Sequence, residues 1–130
     1  ATVTAGINRH ELQQVLVNLM VNAIHAMPGG GRLGLRTRDW TDAQRRPGVC
    51  IEVADTGPGL DEGLLRELFQ PFVTRKKDGT GLGLWISRSL VERYGGDIVA
   101  ANRPADEGPG AVMQVFLLCE PEADALPLSD

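Results

Sequence analysis

Between Asp78 and Leu90 the chain reads DGTGLGLWISRSL. Glycines occupy alternate positions, Gly79, Gly81 and Gly83, and an amphipathic helical pattern follows at once. Free backbone N–H groups at a helix start, aligned with the helix dipole, suit such a junction to an anion. A second polar group lies early in the chain. At 100° per residue, Glu11, Gln14, Asn18, Asn22 and His25 fall in one band about 80° wide. Their neighbours are nearly all apolar: Leu12, Val15, Leu16, Leu19, Met20, Ala23 and Met27 on one side, Val17, Val21 and Ile24 on the other. A helix this apolar is expected to be mostly buried. Buried amides need partners, or each costs about 1–3 kcal/mol. The stripe therefore satisfies itself, faces water or faces a ligand. An asparagine oxygen is a neutral, hard donor suited to Mg²⁺, which would share its shell with phosphate and water. His25, one turn beyond Asn22, can reach a phosphate, and is equally compatible with an ordinary helix-end histidine. His10 is expected in solvent.

The third candidate is the turn Asp55-Thr56-Gly57-Pro58-Gly59, which ends the strand-like run VCIEVAD. As bare sequence it is an ordinary strand-ending turn. Its sharper reading is base recognition. A carboxylate at a strand end accepts a hydrogen bond from an exocyclic amine such as adenine N6, and Gly57 and Gly59 leave room for a flat ring. Between this turn and the glycine loop runs FQPFVTRKK, with Phe69 and Phe72 and the cations Arg75, Lys76 and Lys77. Charge runs are usually just solvated. Beside a glycine loop, this one fits phosphate contact, with the two phenylalanines anchoring a mobile lid.

The elements that hold these residues follow from pattern and punctuation. Residues 1–7 alternate weakly, as a short edge strand would. Asn8 followed by Glu11 predicts an N-cap with a capping-box partner, and the helix runs to about Met27, where Pro28 and three glycines stop it. Residues 31–40 and 49–57 predict an antiparallel hairpin. A short helix is expected over 61–68 and a third over roughly Leu82–Tyr94, ending at Gly95-Gly96. DIVAAN and AVMQVFLLCE predict two last strands. The class is α+β: a two-layer α/β sandwich, with three helices on one face of a mixed sheet of about five strands. No apolar strand feeds the glycines directly, which argues against a dinucleotide-binding βαβ unit. A P-loop Gly-Lys-Ser/Thr is missing too.

The 130 residues suit one domain, and 42% hydrophobic with 23% charged is the balance of an ordinary globular protein. Net charge −4 argues against nucleic acid as a partner. The longest apolar runs are too short to cross a membrane, and no signal-peptide pattern opens the sequence. The two cysteines, Cys50 and Cys119, match no metal spacing and are expected as buried free thiols. Residues 1–119 are expected to form the domain, with 120–130 (EPEADALPLSD) a flexible C-terminal tail.

Taken together, NLMVNAIHA (Asn18–Ala26), DTGPG (Asp55–Gly59), LFQPFVTRK (Leu68–Lys76) and GTGLGL (Gly79–Leu84) resemble the N, G1, F and G2 boxes of the catalytic ATP-binding domain of bacterial two-component sensor histidine kinases. They stand in that family's order, and the resemblance runs from about Asn8 to Leu118. Each box alone is weak; four in order are specific. The resemblance implies the Bergerat ATP-binding fold of the gyrase, chaperone, histidine-kinase and mismatch-repair ATPases. It implies that Asn22 holds Mg²⁺, with Asn18 supporting the phosphate and metal end as the second catalytic asparagine. His25 falls where the family often has a phosphate-binding lysine. Asp55 would bind adenine N6, and Gly57 and Gly59 would shape that pocket. Gly79, Gly81 and Gly83 would form the lid hinge and triphosphate cradle, with Lys76, Thr80 and Leu82 beside them.

The activity implied is an ATP-dependent protein histidine kinase, with ATP and Mg²⁺ as cofactors. The phosphoacceptor histidine would sit on the parent protein's own dimerisation helix, which this sequence does not contain; His10 and His25 lie in or beside the nucleotide helix. The isolated domain is thus expected to bind ATP, not to autophosphorylate alone, and to be a monomer. The next partner would be the receiver aspartate of a response regulator. The domain would face the cytoplasm whether or not the parent is anchored in the inner membrane. The rival readings are an anti-sigma-type serine kinase of the same superfamily, which generally lacks the double-Phe box, and a non-catalytic nucleotide-sensing or interaction module.

Overall fold

The computed structural model describes residues 6–67, 69 and 83–119. Helix α1 spans Arg9–His25, and Asn8 caps it: Asn8 Oδ1 accepts the N–H of His10 at 2.8 Å and of Glu11 at 3.3 Å. The reciprocal half of the expected capping box is not made. The Glu11 carboxylate turns outward instead, accepting the Tyr94 hydroxyl and lying 3.7 Å from Arg93 Nη1. The Tyr94 hydroxyl stands in for that bond, giving its proton to Glu11 while the Asn8 N–H is directed to its oxygen. Strand β1 (Leu33–Thr41) and strand β2 (Pro47–Asp55) form the predicted hairpin. A short helix α2 (Glu62–Glu67) follows, then helix α3 (Gly83–Glu92), strand β3 (Asp97–Asn102) and strand β4 (Ala111–Leu118).

The class is the predicted α+β sandwich, but the sheet differs in detail. Among the described residues it has four strands in the order β1-β2-β4-β3, antiparallel throughout. β3 runs in the same direction as β2, and a mixed sheet would have set them side by side. The β3–β4 hairpin return instead places β4 between them. Of the edge strand expected over 1–7, residues 1–5 lie outside the described residues; Gly6 donates its N–H to Leu118 O at 3.0 Å.

Strand alternation decides which face is covered. Val53 sits opposite Met113, Ile51 opposite Val115 and Val49 opposite Leu117, while Ile98 and Ala100 of β3 meet Val115 and Met113. These face the helices, where Val15, Leu19 and Ala23 of α1 and Val91 of α3 complete the core. The opposite side of α1 departs from expectation. Val17, Val21 and Ile24 are 51, 42 and 53% exposed. Periodicity identified them as apolar, but the described fold leaves that face about half exposed.

The outer sheet face centres on a buried carboxylate. Glu52 Oε1 accepts from Arg36 Nε at 3.1 Å and Nη2 at 2.7 Å, and Oε2 accepts from Gln114 Nε2 at 2.9 Å with Arg38 Nε at 3.5 Å. The hydrogen bond from Arg36, then that from Gln114, holds the Glu52 carboxyl below the usual carboxylate range. The unfolded chain therefore binds this proton more readily than the folded one. Glu52 stabilises the fold fully above about pH 4.5, its unfolded value, and that contribution declines as pH falls through the lower folded value. Acid titration followed by circular dichroism should show stability falling below that point. The Glu52→Gln variant, which cannot titrate, should be less stable at neutral pH and have a flatter acid limb.

Candidate functional site

The polar stripe on α1 divides along its length. Glu11 is engaged with Tyr94 and Arg93, and Gln14 is exposed. Asn18 donates from Nδ2 to Ser87 Oγ on α3 at 3.1 Å. Asn22, one turn on, is half-buried, and its amide makes no hydrogen bond with another described residue. His25 is exposed and closes the helix, where a histidine also suits the negative end of the dipole. The half of the stripe nearest the C-terminus of α1 thus retains unused hydrogen-bonding capacity.

That end of α1 abuts the aspartate turn. A Cβ on Gly57 would lie 2.7 Å from Ala26 O, so only glycine lets the turn close against the helix end. Thr56 Oγ1 accepts the N–H of Arg32 at 2.9 Å, and Thr56 N lies 3.4 Å from Met27 Sδ. Asp55 is 6% exposed. Its Oδ1 accepts the N–H groups of Gly57 at 2.9 Å and Ala111 at 3.2 Å. Among the described residues no donor reaches its Oδ2. One oxygen is locked by the fold and the other keeps its full acceptor capacity among the described residues. Gly59 adopts φ +85°, and the next residue is clamped: Leu60 N donates to Asn102 Oδ1 at 2.7 Å, while Asn102 Nδ2 donates to Leu60 O at 2.8 Å.

Two hollows flank the turn. One of about 280 Å³ is lined by Gly59, Asn102 and the β3–β4 loop around Pro109. The other, about 490 Å³, lies on the outer face over Arg36, Glu52 and Gln114, turned away from α1. Neither takes in Asn18, Asn22 or His25. Gly83 opens α3. Lys76, Gly79, Thr80, Gly81 and Leu82 lie outside the described residues, as do Phe72, Arg75 and Lys77. Phe69 is half-buried, packs against the core and carries Arg88 5.1 Å above its ring.

Residues 7–121 match the family described as histidine kinase-, DNA gyrase B-, and HSP90-like ATPase. The chain belongs to this ATPase family. It is 35% identical over 117 residues to the signal transduction histidine-protein kinase AtoS of Escherichia coli (strain K12), a match covering 90% of this chain and 18% of AtoS. The chain therefore spans less than a fifth of that relative's length. Among solved structures, the nucleotide-free catalytic domain of the histidine kinase ThkA superposes with a TM-score of 0.72 at 34% identity, covering 86% of this chain and 68% of that one. Full-length ShkA in complex with AMPPNP gives 0.64 at 30% identity, covering 91% of this chain and 23% of ShkA.

An ATPase domain must seat a purine and a triphosphate, and the donor set can be tested against both. The open Asp55 oxygen beside glycines fits an exocyclic amine. For a cation, no group of three or more His, Cys, Asp or Glu side chains comes together among the described residues. The described residues alone could not hold Mg²⁺ in a carboxylate cage. Mg²⁺ usually keeps several waters and takes one or two protein oxygens beside phosphates, and the Asn22 amide, unpaired among the described residues, fits that lesser demand. Sequence reasoning missed Asn102 and Ser87. An Asn ending the strand DIVAAN is the only local trace of the first, and nothing local marks the second, because its partner lies on another helix.

Proposed function

We propose that the domain binds Mg²⁺·ATP and, within a longer kinase, donates the γ-phosphoryl group to a histidine on a separate dimerisation helix, for relay to a response-regulator aspartate. The observation that carries this reading is the Asp55 carboxylate: buried, fixed through Oδ1, and without a donor at Oδ2 among the described residues. Adenine N6 is the amine that Oδ2 accepts. Asn22 offers an amide oxygen to Mg²⁺, and Asn18 stands one turn earlier at the phosphate end. Mg²⁺, when bound, neutralises charge on the phosphates. In the transfer, the bond from the γ-phosphorus to the bridging oxygen breaks, leaving ADP, and a phosphorus–nitrogen bond forms on the acceptor imidazole. The protein's part is positioning and charge neutralisation. In this role the domain works in the cytoplasm, where ATP is available. Its partners are its own phosphoacceptor domain and a receiver domain, and in isolation it is a monomer. No helix among the described residues is long and apolar enough to cross a membrane.

Calorimetric titration tests the reading. ATP should bind, Mg²⁺ should tighten it, and Asn22→Ala should remove that gain while leaving Mg²⁺-free binding in place. Supplying a kinase dimerisation helix with its histidine should then yield acid-labile phosphohistidine on that helix and none on the isolated domain. A folded wild-type domain that ignores ATP would overturn the reading.

A further inference from the structure

Three polar or charged residues are buried among those described: Glu52, Asp55 and Ser87, at 9, 6 and 0% exposure. Glu52 holds the ion network of the outer face and Asp55 the turn. Ser87 has no such account. It lies on α3, one helical turn past Gly83, and its hydroxyl meets Asn18 Nδ2 at 3.1 Å. This is a contact between side chains 69 positions apart in sequence. It joins the helix that follows the glycine loop to the helix that carries the asparagines.

The direction of the bond matters, because an asparagine amide can be turned end for end. Here the nitrogen end faces α3: Asn18 Nδ2 donates to Ser87 Oγ at 3.1 Å, and the Asn18 amide oxygen makes no hydrogen bond with another described residue. The bond to Ser87 therefore spends the nitrogen end of the amide on α3 and leaves the oxygen end unspent.

We propose that Ser87 is a positioning residue for Asn18. By holding Nδ2 it directs the amide oxygen to the phosphate and metal end of the nucleotide site, and it couples the orientation of Asn18 to the placement of α3. The proposal rests on the Mg²⁺·ATP reading and adds to it a residue outside the four boxes' ligand-contacting positions.

Two measurements on the isolated domain decide it. In ¹⁵N-labelled protein without nucleotide, the Asn18 side-chain amide pair should be well dispersed, and in Ser87→Ala it should collapse towards the exposed-amide position while the backbone fingerprint outside the α1–α3 contact stays put. In calorimetry, Ser87→Ala should weaken Mg²⁺·ATP binding about tenfold, the loss expected for one misplaced hydrogen bond, and leave Mg²⁺-free ATP binding unchanged. Asn18→Ala should lose at least as much, and the double variant no more than Asn18→Ala alone. Additive losses, an unmoved Asn18 amide, or equal weakening with and without Mg²⁺ would mean that Ser87 merely packs. A wild type that does not bind ATP removes both this proposal and the reading beneath it. A wild type that binds, with Ser87→Ala binding as well, removes this proposal alone.

Discussion

The Asp55→Asn variant is expected to fold normally and to bind ATP about 100-fold more weakly than the wild type. The two faces of the Asp55 carboxylate do separate jobs. Oδ1 accepts the Gly57 and Ala111 N–H groups, and an asparagine carbonyl oxygen can do the same. The turn keeps its two bonds, and the melting temperature should fall by only a few degrees. At Oδ2 the substitution replaces an acceptor with an NH₂ donor. A purine amine would then face a donor with a donor. Losing a hydrogen bond to a charged acceptor costs about 1.5–3 kcal/mol, and the buried donor left without a partner adds about 1–3 kcal/mol. Since 1.4 kcal/mol is tenfold, about 100-fold is the lower part of that range. Guanine supplies the control, because it presents an oxygen where adenine presents its amine. The ratio of ATP to GTP affinity, measured by calorimetry, should drop further than ATP affinity alone. If Asp55 serves only the turn, both nucleotides will be affected alike. Asp55→Ala is the poorer experiment, since it also strips the acceptor from two backbone N–H groups and confounds binding with folding.

The separation between those two oxygens marks the boundary of what the sequence discloses. Local pattern was enough for α1, the β1–β2 hairpin and the α+β class, because each depends on residues close together in the chain: the Asn8 cap, the Pro28 stop, the alternation through β2 and β4. The aspartate turn was legible for the same reason. What was not legible depends on distant pairings. Nothing near Glu11 says that Tyr94 will take its carboxylate, so a local capping box was the natural expectation. Nothing in VLVNLMVNAI tells Leu19, which is buried, from Val17 and Val21, which are not; that depends on where the sheet lies. The strand order turns on β4 inserting between β2 and β3, a choice made by the core and not by any one strand. Asn102 is the sharpest case at the site. Its amide satisfies both the N–H and the carbonyl of Leu60, holding the far end of the turn as a neighbouring strand would, from 42 positions away.

Gly110 shows how far such a distant pairing can be tested. In sequence it is one glycine of a polar loop, RPADEGPG. In the fold it lies directly against the Asp55 main chain at φ +141°, and a Cβ there would overlap the Asp55 carbonyl oxygen. Its own carbonyl accepts the Arg103 N–H at 2.9 Å, and the next N–H, that of Ala111, holds Asp55 Oδ1. An alanine at this position meets two penalties. The backbone conformation costs about 1–3 kcal/mol for a residue with a side chain. Forcing a methyl group against the main chain of β2 costs about 1–3 kcal/mol more, because a strand end cannot swing aside as a flexible side chain would. Gly110→Ala should therefore lose about 4 kcal/mol of stability, on the order of 15 °C in melting temperature. Gly108 separates the two penalties. It shares the loop and a positive φ of +92°, but a Cβ there meets nothing within 4 Å. Gly108→Ala should show the conformational cost alone, about half the loss or less. It should bind ATP as the wild type does. Gly110→Ala should not, even when assayed well below its melting temperature, because moving Ala111 removes one of the two N–H groups that hold Oδ1, leaving only Gly57, and loosens the aim of the carboxylate. Equal losses in the two variants would show that loop conformation alone matters and that the contact with Asp55 does not. A larger loss in Gly110→Ala, coupled to weakened nucleotide binding, would show that the start of β4 is what aims the Asp55 carboxylate.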